Sequence, residues 1–381
     1  MTRSGRRSGS WRRPTFWTVV SWLLITALAV ATVLRFSRGL GAVTNLNDRF
    51  PWGLWVGFDV LCGVGLAAGG FVITATVHLL NLHRYRPVVR PALLTAFLGY
   101  LMVIAALAFD LGRPWNIWHP IIMWNPRSVM FEVGWCVMLY TVVLFLEFAP
   151  LLLERRAGRR LTRIARAIGK VSPVLVVLGV ILSTLHQSSL GSLFLIIPGK
   201  MHELWYSPLL PILFFLSAVA AGLGMTVVES WYSRRVFGEP LEIKLLASLS
   251  RVCVLVLAIF LALRIRDLVA RQALAELWPL SLHGGLFLLE NLVGVVLPMV
   301  LLNLASTRRS SPRLAFANGL VVLGFILHRL NVSITAVEAA TGERYFPSLL
   351  EIVITVGMVT LLIKLFNWAC RSLPIFSKPA A

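Results

Sequence analysis

An all-α, polytopic membrane fold with ten transmembrane helices is what this sequence predicts, on three observations. Hydrophobic residues fill 58% of its 381 positions and charged residues only 14%, against about 25% charged in an ordinary soluble domain. The apolar residues fall in runs of about 20, long enough to cross a bilayer. The basic residues gather in short connections between those runs, which is the pattern of topology signals. A mean hydropathy of +0.82 agrees.

The spans fall at roughly 15–35, 52–80, 91–110, 127–153, 169–190, 207–230, 243–265, 277–304, 314–329 and 348–370. The first follows Arg3, Arg6, Arg7, Arg12 and Arg13. Residues 27–31 (ALAVA) would suit a signal-peptide cleavage site, but the run is long and the next span follows closely, so it reads as an uncleaved anchor. The second opens with residues 51–59, PWGLWVGFD. Proline suits a first helical turn, and Trp52 and Trp55 suit a membrane interface. Gly53, Gly57, Gly65 and Gly69 make faces for close helix contact; beside Asp59 they also leave room for a flat ring. The third span ends at Asp110, Gly112, Arg113 and Pro114. Trp115, Trp118, Trp124 and Asn125 crowd the connection to the fourth, either as an aromatic belt or as the rim of a cleft. The connection between spans four and five is the most basic, with Arg155, Arg156, Arg159, Arg160, Arg163, Arg166 and Lys170.

The N-terminal tail, the even-numbered connections and the C-terminal end together hold more than twice the Lys and Arg of the odd-numbered connections. Both termini are therefore expected in the cytoplasm, and the odd-numbered connections on the periplasmic face of a bacterial inner membrane. The formal net charge of +20 belongs to these connections and to anionic lipid; no nucleic-acid-binding motif accompanies it.

A faint internal repeat is visible. Ala67-Ala68-Gly69 in span two matches Ala220-Ala221-Gly222 in span six, Glu132 matches Glu290, and His186 matches His328. The common order suggests two four-helix bundles, spans two to five and six to nine, with a flanking helix at each end; chance alignment of apolar text is the alternative. The expected division is 1–50 (basic tail and first span), 51–205 (first bundle), 206–347 (second bundle) and 348–381 (last span and tail).

An ionisable group inside a membrane is costly and is a functional candidate by default. Asp59, Glu132 and His186 sit in three different spans, each about four to seven residues from the outer end, roughly 5–10 Å deep. One membrane histidine is more often a packed, hydrogen-bonded residue than a ligand, but three titratable groups at one level suggest a site. His78, Glu147 and Glu229 lie in the inner half, with Arg251, His283 and Glu290 nearer the middle. Glu147 and His78 can also be read as snorkelling groups, and Arg251 as a counter-charge to Glu229 or Glu290. Cys62, Cys136, Cys253 and Cys370 have no metal-ligand spacing and read as small buried hydrophobes.

These motifs together carry a resemblance: PWGLWVGFD with the following GLAAGG, then DLGRP, MWNPRS and LHQSSLGS. The chain resembles the NrfD/polysulfide-reductase membrane-subunit family over nearly its whole length, most closely from about 50 to 210. Its ten-span form is similar to the HybB branch, the integral membrane subunits of nickel–iron hydrogenases. The resemblance implies a quinone-reactive subunit with no haem or iron–sulfur cluster of its own. It also implies a periplasmic ferredoxin-like iron–sulfur partner and catalytic partners, here hydrogenase large and small subunits, with menaquinone or ubiquinone as substrate. Carried onto this sequence, the quinone pocket falls around Asp59, Glu132 and His186. Trp55, Arg113, Trp124 and Ser188 are its expected further contacts, and His78, Glu147, Glu229 and Glu290 a possible proton path. His186 has the side chain best suited to exchanging a proton near neutrality; Asp59 and Glu132 can do so if burial favours their neutral forms. Two rival readings stay open on the residues alone. A di-haem cytochrome b needs histidine pairs at matched depth, for which His186 with His328 is a candidate. A secondary transporter would use duplicated bundles and midplane charges.

Overall fold

The computed structural model describes residues 15–153, 159–196, 201–278 and 281–376. Arg3, Arg6, Arg7, Arg12, Arg13, Arg155 and Arg156 lie outside the described residues. Among the described residues ten helices are long and apolar enough to cross a membrane: α1 (Phe16–Arg38), α2 (Trp55–His78), α3 (His83–Asp110), α4 (Val129–Leu153), α5 (Ala165–Leu193), α6 (Leu210–Phe237), α7 (Ile243–Ala270), α8 (Leu282–Asn303), α9 (Ser311–Thr341) and α10 (Leu349–Ser372). The chain is a multi-pass integral membrane protein. Helices α3, α5 and α9 run beyond the apolar stretches that announce them. The hydrogen-bonded backbone continues through basic and polar residues once it leaves hydrocarbon, because only the side chains, not the helix, require lipid.

Helix α2 packs on α3 and α5, α3 on α4, and α4 on α5; α6 packs on α7 and α9, α7 on α8, and α8 on α9. The two sets meet where α2 lies against α6 and α9 and where α5 lies against α6. Helix α1 runs along α10, and α10 rests on α3 and the first turn of α2. Arg35, buried near the end of α1, donates from Nε to Phe109 O and from Nη2 to Leu111 O, both at 2.7 Å. It thereby satisfies carbonyls at the C-terminus of α3 that no helical partner reaches.

The two small-residue motifs of the sequence repeat face one another. A Cβ on Gly69 would stand 2.7 Å from Gly222 O, and one on Gly222 would stand 2.8 Å from Ala68 C. Helices α2 and α6 therefore cross backbone to backbone. Close packing drives helix association where lipid removes the hydrophobic incentive. Gly222→Leu is expected to destabilise the chain by about 1–3 kcal/mol through overpacking. Gly319 of α9, which has open space around it, is the control: Gly319→Ala should be neutral or gain up to about 1 kcal/mol. Unfolding midpoints in detergent compare the two, and a Gly222→Leu protein as stable as the parent would refute the crossing.

Among the described residues three helices carry a π-helical segment: Trp55–Val60 in α2, Leu292–Val296 in α8 and Asn331–Thr335 in α9. Each widened turn re-aims its side chains, and such segments are frequent at functional sites. All three lie beside polar residues.

Candidate functional site

The first polar cluster gathers at the end of the molecule where α2 starts and α10 begins. The π turn of α2 brings Asp59, buried, against α10, where Thr355 Oγ1 donates to Asp59 Oδ2 at 2.6 Å. Trp55 is buried too; its Nε1 donates to Glu351 O at 3.3 Å. It is thus an internal strut, not the interfacial tryptophan the sequence suggested. Glu351 caps its own helix in a box with Ser348 and accepts from Ser348 N at 2.7 Å and Asn45 N at 3.1 Å. The Tyr345 hydroxyl donates to Glu351 Oε1 and receives Leu54 N at 2.8 Å. Burial first, and then the Glu351 carboxylate, push the Tyr345 hydroxyl well above the usual phenol range, so it stays a donor. The space beside the α2 glycines is taken by this chain's own side chains: Tyr345 lies over Gly53, Ser333 over Gly57 and Phe325 over Gly65. A small cleft of about 40 Å³ remains nearby, lined by Phe50, Trp52, Phe194, Met201 and Ser333 among others. Trp52 and Phe194 meet edge to face there at 5.7 Å.

The second cluster lies inside α4 and α5 and the helices around them. His186 is fully buried, its ring 5.8 Å from Tyr100, which in turn meets Tyr140 at 4.7 Å. Neither ring nitrogen of His186 has a well-aligned hydrogen-bond partner; the ring makes a looser polar contact with the backbone of Val133, next to Glu132. Glu132 is half-buried in the first turn of α4. No hydrogen bond or ion pair joins Asp59, Glu132 and His186 among the described residues. His186 and Glu132 belong to one neighbourhood, and Asp59 faces α10.

The third cluster was only partly legible. Glu290, two residues before the π segment of α8, is fully buried and accepts four donors. Arg264 Nη1 and His328 Nδ1 reach Oε1 at 2.5 and 2.9 Å; Trp205 Nε1 and Asn331 Nδ2 reach Oε2 at 2.9 and 2.7 Å. Arg264 also donates to Asn291 Oδ1 at 3.1 Å. A buried charge survives only with such partners. The counter-charge is Arg264 and not Arg251, which is exposed at the other end of α7. Beside this network Arg329 is buried, donating to Phe214 O at 2.9 Å and lying over the Phe214 and Phe325 rings. Glu290 and His328, the repeat counterparts of Glu132 and His186, touch directly on α8 and α9, just as Glu132 and His186 share α4 and α5.

His78 and Glu147 line one cleft of about 220 Å³ with Thr74, Arg90 and Ser172. Glu229 lies apart, accepting from Thr95 Oγ1 at 2.6 Å. Ser188 is half-buried, its carbonyl taking the Ser192 hydroxyl at 3.3 Å. Arg113 and Trp124 are exposed; Trp124 packs on Trp135 at 4.9 Å. His283 stacks on His202 at 5.1 Å in the first turn of α8, nearer the surface than the sequence suggested. No group of three or more His, Cys, Asp or Glu suited to a metal occurs among the described residues.

Sequence reasoning missed Arg264, Arg329, Asn331, Trp205, Tyr345 and Glu351. Arg264 reads as a basic flank beside Arg266 and Asp267, and Glu351 as an ordinary first-turn acid. Only spatial neighbours distinguish them.

The family model described as "Polysulphide reductase, NrfD" matches residues 42–339. A Nitratidesulfovibrio vulgaris protein is 39% identical over 94% of this chain and 93% of its own length. The "Probable Ni/Fe-hydrogenase 2 b-type cytochrome subunit" of Escherichia coli K12 is 36% identical over 92% of this chain and 90% of its own. The "Menaquinone reductase, integral membrane subunit" of Nitratidesulfovibrio vulgaris is 27% identical over 90% of this chain and 87% of its own.

Proposed function

Because the chain belongs to the NrfD (polysulphide reductase) family, we propose that it is the quinone-reactive membrane subunit of a respiratory oxidoreductase, of the nickel–iron hydrogenase kind. The family match carries this reading; two relatives bear hydrogenase and menaquinone reductase in their names. In this reading a periplasmic ferredoxin-like iron–sulfur subunit, fed by the hydrogenase large and small subunits, delivers electrons by tunnelling. The chain lies in a bacterial inner membrane with both termini in the cytoplasm. Quinone takes two electrons and two protons to become quinol, and the chain's part is to bind the ring and supply the protons.

This reading divides those tasks among the polar residues. Asp59, on a π turn and held by Thr355, takes the role of the group that bonds a ring carbonyl and gives up a proton. His186 and Glu132 supply a second proton from α5 and α4. His78 and Glu147, which share a cleft, together with Glu229, provide an entry for protons from the opposite face. The Glu290 network extends that path through the second set of helices. Reduction at one face with protons drawn from the other would be electrogenic.

The test uses the intact complex purified through a tag on the catalytic subunit. The complete assembly should reduce a menaquinone analogue with hydrogen. The same assembly lacking this chain should reduce a water-soluble dye but not the quinone. Equal quinone reduction without this chain would remove the site from it. Because the Escherichia coli relative is named a b-type cytochrome subunit, a reduced-minus-oxidised spectrum of the purified chain is the companion measurement. This reading expects no haem α band, and a stoichiometric one would replace it with the cytochrome reading.

A further inference from the structure

A cavity of about 810 Å³ lies where the connections α2–α3, α6–α7 and α8–α9 come together, away from Asp59. Its wall carries Arg84, Lys244, Arg251, Arg308 and Arg309 against one acid, Glu242. Three separate stretches of chain thus aim cations into one space. Among the described residues none of the five forms an ion pair. Arg84 donates only to the Tyr85 hydroxyl at 2.8 Å, and Arg308 to Leu302 O at 3.3 Å. Five like charges converging around a single carboxylate repel one another and leave a strong local potential for an anion.

The surroundings identify the kind of anion. Arg251 lies eight residues beyond the start of α7 at Ile243, roughly 12 Å along the helix at 1.5 Å per residue. The exposed face of α7 continues from it in apolar residues: Val252, Leu255 and Ile259. On α8, which packs against α7, Leu297 and Val300 are exposed in the same way, as is Leu304 just past its end. Two apolar lanes therefore begin at the cationic cavity. A small soluble anion would use the cations and leave the lanes idle; a lipid uses both. Five cations exceed what one phosphate needs, and the cavity has room for two. Basic pockets between transmembrane helices are a recognised setting for diphosphate headgroups.

We propose that this cavity is a binding site for a diphosphate anionic lipid, with two phosphates held by Arg84, Lys244, Arg251, Arg308 and Arg309 and acyl chains along α7 and α8. The inference stands apart from the quinone reading. Its test uses the full-length chain in neutral detergent, titrated with diphosphatidylglycerol, phosphatidylcholine or inorganic phosphate and read by native mass spectrometry. One diphosphatidylglycerol should bind per chain. The triple variant R251Q/R308Q/R309Q removes three cations, each worth about 1 kcal/mol to an anionic headgroup, so affinity should fall about 100-fold. The single variant R309Q should bind several-fold more weakly, which keeps the test open if the triple variant folds poorly. The control R38Q, an exposed cation at the other end of the molecule, should leave binding unchanged. Unaltered binding by both cavity variants would overturn the proposal. So would equal retention of phosphatidylcholine, or displacement of the lipid by millimolar inorganic phosphate, which would mark a site for a soluble anion.

Discussion

Asp59→Asn is expected to lower quinone-linked turnover of the assembled complex by about 10²–10⁴-fold, the usual contribution of a positioned proton donor or acceptor, while the protein stays folded. The substitution is close to isosteric, and the Asn carbonyl can still accept from Thr355 Oγ1, so the contact between α2 and α10 is retained. What is lost is the ability to hold and release a proton. Each tenfold loss in rate corresponds to about 1.4 kcal/mol in the barrier, so the stated range is about 3–5 kcal/mol acting on turnover and not on folding. Dye reduction by the catalytic subunits should be unchanged, because it bypasses this chain. Thr355→Val tests the support: it removes the hydroxyl but leaves the carboxyl, and should cost far less than Asp59→Asn. Turnover above half the parental value in Asp59→Asn, with the complex intact, would take Asp59 out of the reaction.

The largest effect on stability is expected at Glu290. Glu290→Leu would strand the buried Arg264 guanidinium and leave Trp205, His328 and Asn331 without their acceptor. Removing one partner of a buried ion pair costs about 3–5 kcal/mol, because the remaining charge has no compensation. Replacing both partners by apolar residues is often close to neutral. The double variant Glu290→Leu/Arg264→Leu should therefore recover part of the loss, and only part, since three neutral donors stay unpaired. Unfolding midpoints in detergent for the parent, the two single variants and the double variant give the coupling directly. If Glu290→Leu lies within about 0.5 kcal/mol of the parent, the range of an ordinary surface change, the network is not what holds α7, α8 and α9 together.

These two residues differ in how much the sequence says of them. Asp59 and Glu290 are both conspicuous as carboxylates in apolar runs, because a charge in lipid needs a reason. Their partners are not conspicuous. Thr355 is an ordinary threonine in an apolar helix, 296 positions from Asp59. Arg264 sits near the end of a span, where the basic residues that set topology also occur. The π segments that re-aim residues near both carboxylates carry no pattern that hydropathy reveals. The sequence likewise presents Asp59, Glu132 and His186 as three groups at one depth. Depth along an axis is readable from residue counting, but the direction in which a side chain faces around that axis is not. In the structure Asp59 turns towards α10, and His186 towards Tyr100, which packs on Tyr140.

What the sequence by itself determined is the number and type of elements. Ten apolar runs had to be ten helices, since in hydrocarbon each backbone amide must find its partner within its own segment, and that requirement is local. The repeated Ala-Ala-Gly motifs also pointed to close packing, although not to each other. Tertiary structure alone decided that these motifs meet where α2 crosses α6, that Glu290 collects four donors from three separate stretches of chain, and that five cations converge on one cavity. Each of those outcomes depends on the rotation of one helix against another. Small-residue contacts and buried polar pairs between residues tens to hundreds of positions apart set that rotation, and hydropathy, which counts apolar residues along a line, does not record it.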